Sequence, residues 1–302
     1  MPEHLVSRTV KEHCLVVIMN ARTSQRPRLH WQSKLILLIV VPVAGAFASV
    51  ETMQRWPFAH ASVLTAYGIA APFALLVWIL RAATPAAALT GGLFTVILYL
   101  WTPGWRTMLW PLLALFLLTF AATRFGRHRK EMLGVAEEKR GRTASQVVAN
   151  LGAAVIAAIP LRAWRVWLGI YPGRVALIAA IAALGEATAD TLSSELGEVL
   201  GGEPYLLTTF QRVPSGTDGA ISLNGTIAGA AGAAAITIVA AFVFRLSAPE
   251  SAIAFAAAII GLFVDSLLGA TLERWGWINN DAVNALSTAF AAILARLLAE
   301  RM

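Results

Sequence analysis

Repeated stretches of roughly 17 to 22 mostly apolar residues, each about long enough to cross ~30 Å of hydrocarbon, constrain this chain more than any other feature. They fall near 34–50, 60–80, 84–101, 107–123, 144–160, 174–196, 221–244, 251–271 and 282–298. Of the 302 residues, 58% are hydrophobic and only 14% charged, so too little polar sequence remains to coat a soluble domain holding that many buried helices. The reading is an all-α polytopic membrane protein of about nine transmembrane helices, within a range of about seven to nine.

Residues 1–32 are basic and irregular, with no apolar region leading to a small-residue cleavage site; they read as a cytoplasmic extension, not as a signal peptide. Residues 33–123 read as an N-terminal membrane region of four helices, and 124–302 as a catalytic membrane domain. Cys14 is the single cysteine, which excludes an internal disulfide framework.

Lysine and arginine give the orientation. The N-terminal segment holds Arg8, Lys11, Arg22, Arg26, Arg28 and Lys34, and the loop 124–142 holds Arg124, Arg127, Arg129, Lys130, Lys139, Arg140 and Arg142. Both belong on the cytoplasmic side of a bacterial-type membrane, and an even number of spans between them lets the two assignments agree. The net charge of +7 is then an orientation signal, and no nucleic-acid partner is expected.

With sidedness assigned, the intramembrane polar residues gather in one leaflet. Arg142, Gln146 and Asn150 follow i, i+4, i+8 spacing at the start of the fifth run; Glu186 and Asp190 are i, i+4 near the end of the sixth. Ser222 and Thr226 repeat that spacing at the start of the seventh. Asp265 lies near the end of the eighth between Gly261 and Gly269, while Asn280, Asp281 and Asn284 open the ninth. "DTL" at 190–192 resembles "DSL" at 265–267, and "AISLNGT" (220–226) resembles "AVNALST" (282–288), which suggests a parallel helix-hairpin repeat in the C-terminal half.

Carboxylates at membrane depth are costly unless they face a polar cavity and meet positive charge. Oxygen ligands without a His or Cys cluster suit Mg²⁺, not zinc. The stretch "PSGTDGAISLNGT" (214–226) is a Gly-rich loop running into a helix N-terminus, a place that favours an anion, although a tight turn needs such glycines too. Glu195 turns away from the Asp190 face and is expected to serve structure or pair with Arg212.

"GVAEEKRGRTASQVVAN", "ATADTLSSELG", "VPSGTDGAISLNGT", "GLFVDSLLGAT" and "NNDAVN" resemble, in content and order, the motifs of the membrane family that includes the plant phytyl-phosphate kinase and the animal transmembrane protein 19. Where that family more usually has a glutamine after "LLGAT", this chain has Leu272 and Glu273. The resemblance implies a lipid-phosphate kinase that converts an isoprenoid monophosphate, phytyl or polyprenyl, to the diphosphate with a nucleoside triphosphate, CTP for preference, and Mg²⁺. It assigns Asp190 and Asp265 to the metal, and Glu186 to the metal or just outside its ligands. Lys139, Arg140 and Arg142 would hold the donor phosphates with Gly216, Thr217 and Gly219, supported by Gln146, Asn150, Ser194, Ser222 and Thr226. Asn280, Asp281 and Asn284 would complete the site near the acceptor phosphate. Two other readings stand beside it: a transporter or flippase of an anionic lipid or metabolite, and a CTP-dependent nucleotidyltransferase making a CDP-lipid.

Overall fold

The computed structural model describes residues 30–133, 141–159 and 173–302. Over these the chain is helical: α1 His30–Ile79, α2 Pro85–Trp101, α3 Leu109–Arg124, α4 Arg127–Leu133, α5 Ala144–Ala158, α6 Gly173–Leu200, α7 Leu223–Phe244, α8 Ala248–Leu268 and α9 Asn280–Ala299. A π-helical turn, Gly269–Glu273, extends α8. A two-stranded antiparallel ribbon, β1 Tyr205–Leu206 with β2 Ala220–Ile221, closes the loop between α6 and α7.

Among the described residues five helices are long and apolar enough to cross a membrane, or six if α3 and α4, bent by 58°, make one span. The expected count of nine is not confirmed, and three features bear on it. The helices α2 and α5, at 17 and 15 residues, are short. The third helix reaches span length only together with α4 across the bend. The first two apolar runs form the two arms of α1, which is 50 residues long and leaves helical geometry between them at Ala59 (φ −142°, ψ 38°). There it folds back: the Thr52 and Tyr67 hydroxyls lie 3.1 Å apart, whereas in a straight helix those residues would be separated by about 22 Å. Both arms pack on α2, the first through Ala44 and Ala48, the second through Val63, Ala66 and Ala70.

The centre of the bundle is α6, 28 residues long and buried over most of its length. It touches α3, α5, α7, α8 and α9. Its sequence explains the position: a run of alanines with Gly185 presents little bulk on any side, so neighbouring helices approach closely. The partner α7 answers with Gly229 and Gly232, where an added Cβ would meet Ala189 O at 2.8 Å and Thr188 Cγ2 at 3.2 Å. One apolar core runs from Ala44 of α1 through Phe94 and Met108 to Ala292 of α9, so the N-terminal helices and the C-terminal bundle share an interior.

Tertiary contacts sort into two ends of the bundle. At one end Gln32 accepts from Asn279 N (2.7 Å) and donates to Trp277 O (2.8 Å), and Ser33 donates to Asp281 (2.6 Å). At that same end the backbones of Ala83 and Arg142 pair, and Lys130 forms an ion pair with Glu195. At the other end Arg174 pairs with Glu250 and donates to the carbonyls of Phe244 and Arg245. The basic stretch ending in Arg142 and the start of α1 therefore lie at one end of the bundle, together with every acid singled out from the sequence.

Candidate functional site

The site is built where α6 and α8 cross near that end. Glu186 of α6 is 1% exposed, and neither of its carboxyl oxygens has a hydrogen-bond partner among the described residues. Gly261 of α8 makes room for it: a Cβ at that position would fall 2.7 Å from Glu186 Cγ. A buried, unsatisfied carboxylate is costly, and such groups in native folds commonly mark a water or ion.

One turn along α6, Asp190 comes within hydrogen-bond reach of Asp265 on α8. Two carboxylates that close repel one another unless a proton or a cation lies between them. Asp265 is fixed from the other side by Ser287 of α9, whose buried hydroxyl donates to Oδ2 at 3.0 Å. The guanidinium of Arg142 donates to Thr191 Oγ1 at 3.3 Å and acts electrostatically on Asp190. Arg142 does this from outside α5. Thr143 caps that helix and closes a capping box with Gln146, so Arg142, expected on one helical face with Gln146 and Asn150, stands two residues before the helix begins at Ala144.

The Gly-rich loop docks directly on this crossing. Gly219 adopts φ +70° and lies so tightly against Ser266 and Ala270 that a Cβ would collide with Ala270 N. The π-helical turn below it carries Glu273, within electrostatic reach of Asp218, Asp190 and Asp281. Single π turns inside α-helices recur at functional sites. Asp218 and Glu273 are additions that sequence reasoning did not reach. The signals were present: Asp218 sits between Thr217 and Gly219 in the loop already singled out, and Glu273 stands at the one departure from the family pattern in that motif.

Other expected residues hold structure in this conformation. The Ser222 side chain caps α7 by accepting from Gly225 N, beside Gly197 on α6, and Thr226 donates back to Ser222 O. Ser194 donates to Asp190 O and Thr191 O; Thr217 donates to Pro214 O within the loop, where Gly216 has φ +81°. Asn150 is buried and donates to Gln146 O. Asn284 is buried beneath the α9 start, whereas Asn280 is exposed at its first residue and Asp281 is held by Ser33. Lys139 and Arg140 lie outside the described residues. Glu195 is structural, but its partner differs from the one expected: it pairs with buried Lys130 and accepts from Thr123, while Arg212 pairs with Glu203.

Among the described residues no three His, Cys, Asp or Glu side chains form a ready metal cage. The donor set still suits a hard cation. Glu186 has two unsatisfied oxygens, Asp190 and Asp265 share a short approach, and Mg²⁺ is commonly bound by one or two carboxylates plus phosphate oxygens instead of an all-protein cage.

Comparison with known proteins adds the following. The model of a family described as "Integral membrane protein DUF92" matches residues 68–292. An uncharacterized membrane protein of Synechocystis sp. is 31% identical over 272 residues, covering 88% of this chain and 90% of that one. Protein VTE6, chloroplastic, of Arabidopsis thaliana is 34% identical over 188 residues, 61% of this chain; the match spans 56% of the plant protein. An uncharacterized membrane protein of Methanocaldococcus jannaschii is 36% identical over 187 residues, 62% of this chain and 74% of its own. No solved structure matches.

Proposed function

Since the chain belongs to the DUF92 family of integral membrane proteins, the family of the plant phytyl-phosphate kinase that its motifs resemble, we propose that it is an isoprenoid-phosphate kinase acting at the cytoplasmic face of a bacterial-type membrane, with CTP as donor. The observation that carries the chemistry is that Glu186, buried with neither carboxyl oxygen hydrogen-bonded among the described residues, lies one turn from Asp190, which reaches Asp265 across the helix crossing beside Arg142.

In this reaction an oxygen of the isoprenyl monophosphate attacks the γ-phosphorus of the nucleotide. The bond from that phosphorus to the bridging oxygen breaks, and CDP leaves with the electron pair. The attacking oxygen is already anionic, so no strong general base is required, in keeping with motifs that contain no histidine. Positioning and charge neutralisation carry most of the rate. Asp190 and Asp265, with Glu186 beside them, would hold Mg²⁺, which would supply neutralisation of phosphate charge. Arg142, with Lys139 and Arg140, binds the donor phosphates. The loop around Gly219 brings backbone N–H groups and Asp218 to the same crossing, and Ser287 of α9 fixes Asp265 there.

The test is product identity. Purified protein in proteoliposomes, given CTP, Mg²⁺ and farnesyl phosphate, forms farnesyl diphosphate and CDP in equal amounts, read by mass spectrometry. A lipid product carrying cytidine would replace this reading with nucleotidyl transfer, and no lipid product would return it to a carrier.

A further inference from the structure

The helices before residue 124 lie outside the quoted motifs, yet they wall a cavity that opens at the same end as the acids. Its interior is apolar, formed by Phe73 of α1, Leu112, Leu115 and Phe116 of α3, and the open side of Gly91 on α2. It runs back to Asn150 and to Ala187, the residue next to Glu186. Its mouth is the opposite in character: Arg81, Arg124, Arg127 and Arg142 all line it.

The mouth is also strained and braced. Arg81 adopts φ +53°, a left-handed conformation that a non-glycine residue holds only when its surroundings insist on it. Arg124 donates to the preceding carbonyl, Leu80 O, at 2.6 Å, and Arg142 ties down the following residues through Arg142 N to Ala82 O and Thr84 N to Arg142 O, each 3.0 Å. Such over-determined strain clusters at ligand clamps. Arg142 links the mouth to the acids, because its guanidinium reaches Thr191 beside Asp190.

A basic mouth, an apolar shaft behind it and a wall that includes Arg142, whose guanidinium reaches Thr191 beside Asp190, together match an anionic amphiphile with a single apolar chain. We propose that this cavity is the acceptor site: Arg81, Arg124 and Arg127 hold the phosphate of the isoprenyl monophosphate, the chain lies between α1, α2 and α3, and the residue at position 91 limits its length. This rests on the kinase reading for the identity of the amphiphile. It gives the N-terminal helices a role in substrate selection.

A farnesyl monophosphate with a photoactivatable diazirine at the far end of its chain tests this without nucleotide, on the full chain in nanodiscs. Label should appear on the cavity walls of α1 and α3, Phe73 and Phe116 among the marked residues. Excess farnesyl phosphate should suppress it, and dioleoyl phosphatidic acid should not. Arg81→Gln should lower labelling roughly tenfold or more, as expected for a lost hydrogen bond between charged partners. A Cβ at Gly91 meets nothing within 4 Å, so Gly91→Leu adds bulk to open space. That variant should reject the farnesyl probe and keep binding of dimethylallyl phosphate. Labels on lipid-facing surfaces, equal competition by phosphatidic acid, or equal loss of long and short chains in Gly91→Leu would overturn the acceptor site. Because the probe reads binding alone, phosphoryl transfer combined with labels elsewhere sinks the cavity and spares the kinase; cavity labels without transfer do the reverse.

Discussion

Ser287 of α9 donates its hydroxyl to Asp265 of α8 at 3.0 Å, and in doing so sets that carboxylate against Asp190 on the central helix. The hydrogen bond needs an acceptor oxygen, not a charge. Asp265→Asn and Asp190→Asn should therefore leave the protein folded in the membrane, since an amide retains an acceptor and is cheaper to bury than a carboxylate. Turnover should fall by about 100-fold or more, because the carboxylate that would hold Mg²⁺ against the phosphates is gone. Circular dichroism and detergent thermal stability check the first half, and initial rates check the second. Near-normal turnover in both variants would make these acids packing partners.

The pair formed by Lys130 and Glu195 answers to different physics. Lys130 is 1% exposed, and its ammonium also donates to Ala122 O at 2.8 Å. Glu195→Gln strands that buried cation and should cost on the order of 3 kcal/mol of stability, with little effect on the chemical step in the surviving protein. Replacing both residues together, Lys130→Met with Glu195→Leu, should recover most of the loss, because the desolvation of both charges disappears. Thermal melts of the two proteins decide it; a double variant no better than the single one would contradict a buried-pair account.

Gly219→Ala tests whether the Gly-rich loop belongs to the site. The left-handed φ of +70° and the contact with Ala270 leave no space for a methyl group, so the loop must lift from the π-helical turn. Helical content should be unchanged, and the KM for nucleotide should rise by roughly tenfold or more, the loss expected when a charged ligand forfeits its hydrogen bonds. An unaltered KM would remove this loop from the phosphate site.

The sequence carried the acids well. Spacing of i, i+4 placed Glu186 and Asp190 on one helix face, and the cost of carboxylates at membrane depth led to the expectation that they converge with Asp265, which the folded chain brings beside Asp190. Helix bounds were less legible. Arg142 was expected on the face of α5, but Thr143 won the cap and left Arg142 in extended pairing with Ala83. The fold-back at Ala59 falls between the two runs expected at 34–50 and 60–80, but nothing local announces that the helix resumes at once after the bend. Glu273 joined the acids only because Gly219 docks against Gly269 and Ala270, a contact between residues fifty positions apart that no periodicity records.

Sidedness is open to direct chemistry. In a Cys14→Ser background, Ser215→Cys and Gly173→Cys place thiols at exposed positions at opposite ends of the bundle. A membrane-impermeant maleimide should label Ser215→Cys only from the cytoplasmic side and Gly173→Cys only from the other. The reverse pattern would move the acid cluster to the outer face, away from cellular nucleotide.

In the proposed reaction the carboxylates at the crossing of α6 and α8 serve transfer of one phosphoryl group to an isoprenyl monophosphate. The most direct measurement follows label from CTP, marked separately in the γ-phosphate and in the base, into farnesyl, geranylgeranyl and phytyl phosphates, with wild-type protein and with Asp190→Asn. The account predicts γ-label in the lipid, no base label, and loss of transfer in the variant. Base label in the lipid, or γ-label that persists undiminished in Asp190→Asn, would contradict it.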